Sequence, residues 1–360
     1  MSEALPDLVA KVRLDTTELD QAEGVASAAA GKIGLSMATA VAAIGAAVVA
    51  AGAGLFQLGR QFDEVSDTIR VGTGATGEAL AGLEQVAKNV GQNVPVEFSK
   101  IAPAVADLNT RLGLTGDNLE TVASQVLEAG RLLGTEVNVQ AATGAFNAFG
   151  VEGDQVSEAM DNLFRVSQAT GIGINELAST VQVNAPAVRE LGFSFEESAA
   201  LVGSLDKAGI NATQTLTAMQ RGLVSLAQDG EAPQEAFRRV TGEVDALIQA
   251  GDTASAIDLA AGVFGTRGAS QFVAAVQAGT LNLDDLVAGV GATEDTILGL
   301  AAETRSAGES WQILKNTALA ALEPIGTAVF DTVGAGLEAL IPLVTRVGEW
   351  IGEAFGAVQD

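Results

Sequence analysis

The chain has 360 residues, 45 acids against 19 bases for a net charge of −26, and neither His nor Cys. Without those two residue types, disulfides, thiol nucleophiles, His general bases and ordinary zinc sites are excluded. The acid excess also argues against a duplex-binding surface, which needs clustered Lys and Arg.

Residues 1–31 form an N-terminal segment. Leu8, Val12 and Leu14 are compatible with a strand or a short helix, and periodicity does not decide between them. Asp15-Thr16-Thr17-Glu18 has the character of a helix start. The segment is not a secretory signal, because its basic residues are few and the apolar run begins too late.

Residues 32–60, KIGLSMATAVAAIGAAVVAAGAGLFQLGR, hold 27 uncharged residues between Lys32 and Arg60. As a helix this run would reach roughly 40 Å, enough to span a hydrocarbon core with tilt. Glycines such as Gly34, Gly45, Gly52, Gly54 and Gly59 weaken it in water. Gly45 and Gly52 lie close to one face and permit tight approach of another helix. Gly45, Val48, Val49, Gly52, Leu55 and Phe56 are the candidate helix-packing or membrane-facing residues. Two readings stay open: burial in a homo-oligomeric bundle, or entry into a membrane.

From residue 61 to about 305, helical periods alternate with short Gly, Thr, Ser and Asn breaks, and strand-like runs are few. The stretch GTGATGE (72–78) is clear punctuation. After Thr115, Leu119, Val122, Ala123, Val126 and Leu127 fall at helical spacing, with Gly130 read as the stop. Asp154 precedes a helix ending at Gly171. Ser194 and Glu197 have capping-box spacing before Leu201, Val202 and Leu205, with Gly209 as the stop. The chain is 48% hydrophobic but only 4% aromatic, so its core is expected to be helical and close-packed around small side chains.

The region also repeats. LEQVAKNVGQNV (83–94) matches LFRVSQATGIGI (163–174) at an offset of 80 residues. NTRLGLTGDNLETVASQVLEAG (109–130) matches VRELGFSFEESAALVGSLDKAG (188–209) at 79. These matches suggest a tandem helical unit of about 80 residues, covering about 83–150 and 163–230, with like units packed in succession.

Residues 306–360 are apolar and amphipathic. Pro324 and Pro342 are expected to divide them into helices of roughly 11 to 17 residues. Trp311 and Trp350, the only tryptophans, fit either a membrane interface or packing in an oligomer.

The expected fold class is therefore all-α: a short-helix tandem-repeat region, flanked by an N-terminal apolar helix and C-terminal amphipathic helices, and oligomeric. The acids are spread along the chain and read as solvated faces. No acid pair sits in a catalytic setting, so no enzyme activity, cofactor or metal is expected. Scarce Lys, 6 against 13 Arg, is also a composition of salt-adapted proteins.

The block from 163 to 227, with Asn175-Glu176-Leu177, Ala185-Pro186-Ala187, Leu191-Gly192 and Ala208-Gly209-Ile210, resembles the phage-related minor tail protein family. Those are the tail tape measure proteins of long-tailed viruses. Phe62-Asp63 with GTGAT (72–76), Phe264-Gly265, Arg267-Gly268 and Pro324-Ile325-Gly326 fit the same series. The resemblance covers about residues 60 to 330 and rests on the ordered series rather than on one motif.

The resemblance implies a helical, oligomeric protein, a trimer or a multiple of three. It would sit in the lumen of the tail tube, set tube length during assembly, and leave at infection to help genome passage through the host membrane. Implied partners are the major tail tube protein, the tail tip and tail terminator proteins, other copies of the chain and the host membrane, without tight nucleic-acid binding. The alternative is a membrane-active, pore-forming or ejected effector with no ruler role. One departure is length: tape measures are usually longer, and this chain as a single helix would reach roughly 540 Å.

Overall fold

The computed structural model describes residues 57–331, apart from 191, 229, 231, 280, 282–295, 325 and 329. The N-terminal segment, the apolar run up to Phe56, and the C-terminal residues from 332 with Pro342 lie outside the described residues. The chain divides into two compact units. One is residues 65–320. The other contains the described residues 57–64 and those from 321 onward. In that unit Gly59 lies so close to residues 326–330 that an added Cβ would fall 2.3 Å from the Gly326 carbonyl oxygen.

The described residues contain helices and no strand. After helical residues 57–73, the main unit continues with α1 (Gly77–Asn93), α2 (Phe98–Leu112), α3 (Gly116–Leu133), α4 (Val139–Phe149) and α5 (Gln155–Thr170). Then come α6 (Ile174–Glu190), α7 (Phe195–Lys207), α8 (Ala212–Gln228), α9 (Pro233–Gln249), α10 (Thr253–Gln277) and α11 (Ile297–Glu303). Residues 307–324 are helical, as are 326–328. Pro324 thus has helical residues on both sides, and the 17 helical residues before it are of the expected length.

The stops are set locally. Gly134 (φ 66°) and Gly171 (φ 83°) close α3 and α5 in the left-handed region, which costs a side-chain-bearing residue energy and glycine little. Gly130, expected to end α3, instead lies within its last turn. A lone glycine is tolerated in a helix, and only Gly134 adopts positive φ here. The capping box before α7 is present: the Glu197 N–H donates to Ser194 Oγ at 3.1 Å, and the Ser194 N–H to Glu197 Oε2 at 2.8 Å. α10 is broken at Gly265 (φ 73°, ψ 162°).

Packing follows a rule of alternate helices. α1, α3, α5 and α7 pack in succession as one layer, and α2, α4, α6, α8 and α10 as the other. α9 packs on α8 and α10. The first helix of each pair begins at 77, 116, 155, 195 and 233, a spacing of 38 to 40 residues. The 80-residue offset of the sequence alignment therefore spans two helix pairs. Ala102-Pro103-Ala104-Val105 of α2 recurs as Ala185-Pro186-Ala187-Val188 of α6.

Polar ties along the stack keep the same step. Near their C-terminal ends, helices donate to the last turn of the helix one pair earlier. Thr110 Oγ1 reaches the Gly72 carbonyl at 3.1 Å, Asn147 Nδ2 that of Arg111 at 3.3 Å, Arg189 Nη1 that of Ala148 at 2.6 Å, and Lys207 Nζ that of Ala169 at 2.9 Å. Helix ends leave such carbonyls without intrahelical donors. Asn175, part of the family-like pattern, clamps the entry to α4: it donates to the Glu136 carbonyl and accepts from the Asn138 N–H.

The interior is close-packed and mainly apolar. Val156, Met160, Leu163 and Phe164 of α5 are fully buried, each such side chain contributing about 1.5–3 kcal/mol. Leu119, Val122, Ala123 and Val126 of α3 are buried as their spacing predicts, while Leu127 is only half-buried. Glycine allows the closest crossings: a Cβ on Gly203 of α7 would lie 2.7 Å from Val166 of α5. Aromatics are few but central. Phe195 packs edge-on against Phe146 and Phe149 at 5.4 and 5.6 Å, a favoured geometry for ring quadrupoles.

Candidate functional site

Of the residues singled out in sequence, Gly45, Val48, Val49, Gly52, Leu55, Phe56 and Trp350 lie outside the described residues. Trp311 is described: it sits on helical residues 307–324 and is 68% exposed, with Leu314 one turn on at 57%. Asn316, on the same helix, is buried. No described helix is long and apolar enough to cross a membrane.

The most elaborate chemistry among the described residues is a polar seam absent from the sequence-based candidates. Residues 296–316 return from the far end of the chain to lie on α1, α3 and α5. Asp161 of α5 accepts from the Ile297 N–H at 2.9 Å and caps the first turn of α11. Arg131 of α3 binds three groups: Glu128 on its own helix, Glu309 at 2.8 Å, and the Ala301 carbonyl at 3.1 Å. Arg305 donates to the Asn93 carbonyl at 2.9 Å and stands 3.6 Å from Glu128. Asn316 donates to the Gly91 and Val96 carbonyls at 2.9 and 2.8 Å, closing the turn between α1 and α2.

Two acids of this seam overturn the reading of all acids as solvated. Glu128 is 1% exposed and Asp161 8%. A buried carboxylate is tolerated only when paired and hydrogen-bonded, and α3 supplies Arg131 one turn from Glu128. Burial pushes the Asp161 carboxyl above its ordinary value, with the Ile297 N–H, Arg165 and Gln125 pulling the other way. Glu309 is held below its ordinary value chiefly by hydrogen bonds from the Ser306 backbone and hydroxyl, which outweigh burial, with lesser help from Arg131. For Arg131, burial disfavours the charge, but Glu128 and Glu309 outweigh it and raise the guanidinium pKa.

The Ser306–Glu309 pair is a capping box, with backbone-to-side-chain bonds of 2.6 and 3.2 Å. That S-x-x-E spacing is legible in the sequence. Asp161 and Asn316 were not legible, because their partners lie 136 and 225 residues away; Glu128 has Arg131 one turn on, but its burial is decided by the fold.

Two open grooves flank the stack. One of about 490 Å³ lies among α2, α3 and α4, with Lys100, Asp107, Arg131 and Glu136 among its walls. The other, about 820 Å³, lies between α4 and α6 beside Pro186 and Arg189. Neither brings a nucleophile to a base. No cluster of three metal-ligating residues occurs among the described residues.

A family model described as phage-related minor tail protein matches residues 84–307. A protein named tape measure protein, from Pneumococcus phage Dp-1, is 23% identical over 242 residues, which is 62% of this chain and 21% of that protein. The chain thus spans about one fifth of the length of the relative it matches. No solved structure matches. The match covers most of the paired-helix stack and the start of the returning segment, and on that basis the chain belongs to the phage-related minor tail protein family.

Proposed function

We propose that the chain is a tail tape measure: it occupies the tube lumen during assembly, sets tube length and is released at infection to help genome passage through the host membrane. The observation that carries this reading is the family match over residues 84–307, joined by the relative named tape measure protein. Its partners in this reading are the major tail tube protein, the tail tip and tail terminator proteins, other copies in threes, and the host membrane after ejection. The charge of −26 suits a lumen through which DNA passes without being held. The role is structural rather than catalytic.

Compactness constrains the ruler. As one helix, residues 65–320 would reach about 380 Å, yet here they fold as stacked helices of at most 25 residues. A ruler made from this stretch has to open during assembly. The 80-residue unit, which spans two helix pairs, gives the test. An in-frame duplication of one unit lengthens tails by roughly 120 Å in electron micrographs if the unit is extended. Tails of unchanged length reject it as a ruler.

The same compactness favours a second reading, a membrane-active or ejected effector without ruler role. Exposed Trp311 and Leu314, with the uncharged run before Arg60, are its candidate contacts. Leakage of dye-loaded vesicles by the purified chain, abolished when residues 33–59 are removed, supports it. Absence of leakage rejects it.

A further inference from the structure

We propose that residues 296–320 are a releasable strap, an element that opens from the helical stack while the stack stays folded. The seam beneath it differs in kind from the interior. Among the described residues of the strap, the only buried apolar side chains are Ile297 and Ala301. Leu300 and Ile313 are half-buried, and the polar attachments converge on a few residues: Asp161 at the first turn, Arg131 and Glu128 in the middle, and Asn316 at the far end.

The polar contacts are also incompletely matched. Glu128 Oε1 and Arg305 Nε, which face each other across the seam, are buried without a protein hydrogen-bond partner. At 3.6 Å, Arg305 and Glu128 attract without a direct hydrogen bond. Buried polar groups short of partners cost energy that water repays once the interface opens. A mainly apolar interface gains nothing comparable on opening, so the strap is the element the fold releases first.

Release has a defined structural consequence. Glu309 both completes the Ser306 capping box and holds Arg131. The helix that begins at 307 therefore keeps its own cap when it leaves, and departs as a preformed helix carrying exposed Trp311 and Leu314. In a tape measure this is how a compact body begins to lengthen from its C-terminal side. That role rests on the ruler reading; the strap itself does not.

Hydrogen exchange followed by mass spectrometry on the full chain tests the strap. Amides of 297–317 are expected to exchange at least about 100-fold faster than buried amides of α5 to α7. Arg131→Met is expected to raise strap exchange a further tenfold or more and leave α5 to α7 unchanged. Ser194→Ala, which uncaps α7 in the stack, is expected to do the reverse. Exchange of strap and stack at one common rate, or an equal loss of protection in both on Arg131→Met, overturns the proposal. Tail length in the duplication experiment is independent of this result, so failure of the ruler and failure of the strap are told apart.

Discussion

Helices α4 to α7 and the strap that follows residue 296 are both helical, and both owe their starts to caps of the same kind. Ser194 with Glu197 opens α7, and Ser306 with Glu309 opens the helix at 307. They differ in what lies underneath. The stack is joined by Phe146, Phe164, Phe195 and Leu163, all nearly inaccessible. The strap is joined mainly by the guanidiniums of Arg131 and Arg305, the buried carboxylates of Glu128 and Asp161 and the amide of Asn316. Apolar contact is non-directional and tolerates small shifts, whereas a charge seam holds only at one geometry. The same chain thus contains one interface built to persist and one whose loss exposes groups that water solvates well.

Breaking the apolar side should produce the largest effect. Phe164→Ala removes a fully buried ring and is expected to cost about 3–5 kcal/mol of global stability, measured by chemical denaturation of the whole chain. A loss under about 1 kcal/mol would mean that α5 is not central to the stack.

Breaking the seam comes next. Arg131→Met strands Glu128, which is 1% exposed, and is expected to cost about 3 kcal/mol, localised to the strap by hydrogen exchange. Replacing both, Glu128→Leu with Arg131→Met, should recover most of that loss, since the stranded charge goes too. If the double variant is no better than the single, the cost comes from lost packing rather than from charge.

Asn316→Ala removes two hydrogen bonds to the Gly91 and Val96 carbonyls and is expected to cost about 1–3 kcal/mol. Thermal melts of the variant beside wild type measure it. Ser194→Ala removes a cap and should cost about 1 kcal/mol, felt in α7.

The smallest effect sharpens the comparison by sign. Burial raises the Asp161 pKa from its ordinary 3.8, so this group favours the folded state at pH below 3.8 and loses that contribution as pH rises through its folded value. Asp161→Asn keeps an acceptor for the Ile297 N–H and should therefore be neutral or stabilising at pH 7, by under about 1 kcal/mol. Glu309 runs the opposite way. Its pKa is lowered from 4.5, so its contribution is present above 4.5 and is lost as pH falls through the folded value. Glu309→Gln should flatten the acid limb of strap exchange, and Asp161→Asn should not.

Much of the main unit was legible before any coordinates. Local rules placed the helix after Asp154 and its stop at Gly171, the capping box at Ser194, and the buried faces of α3 and α7, because caps, turns and 3.6-residue periodicity act over a few residues. The sequence also carried the family, through an ordered series of short patterns spread over most of the region. It could not separate Gly130 from Gly134 as the end of α3, since both are glycines near a helix end and only backbone conformation distinguishes them.

What the tertiary structure alone decided is which residues separated by 130 to 230 positions meet. Glu128 and Asp161 look like any other acids of a chain with 45 of them. They are nearly inaccessible, and residues 296–316 fold back to meet them. The two-layer order of alternate helices, with its step of 38 to 40 residues, also arises from packing. One helix pair cannot bury both of its apolar faces alone, so each pair is completed by the next, and the returning strap covers the stack with charges that find partners only there.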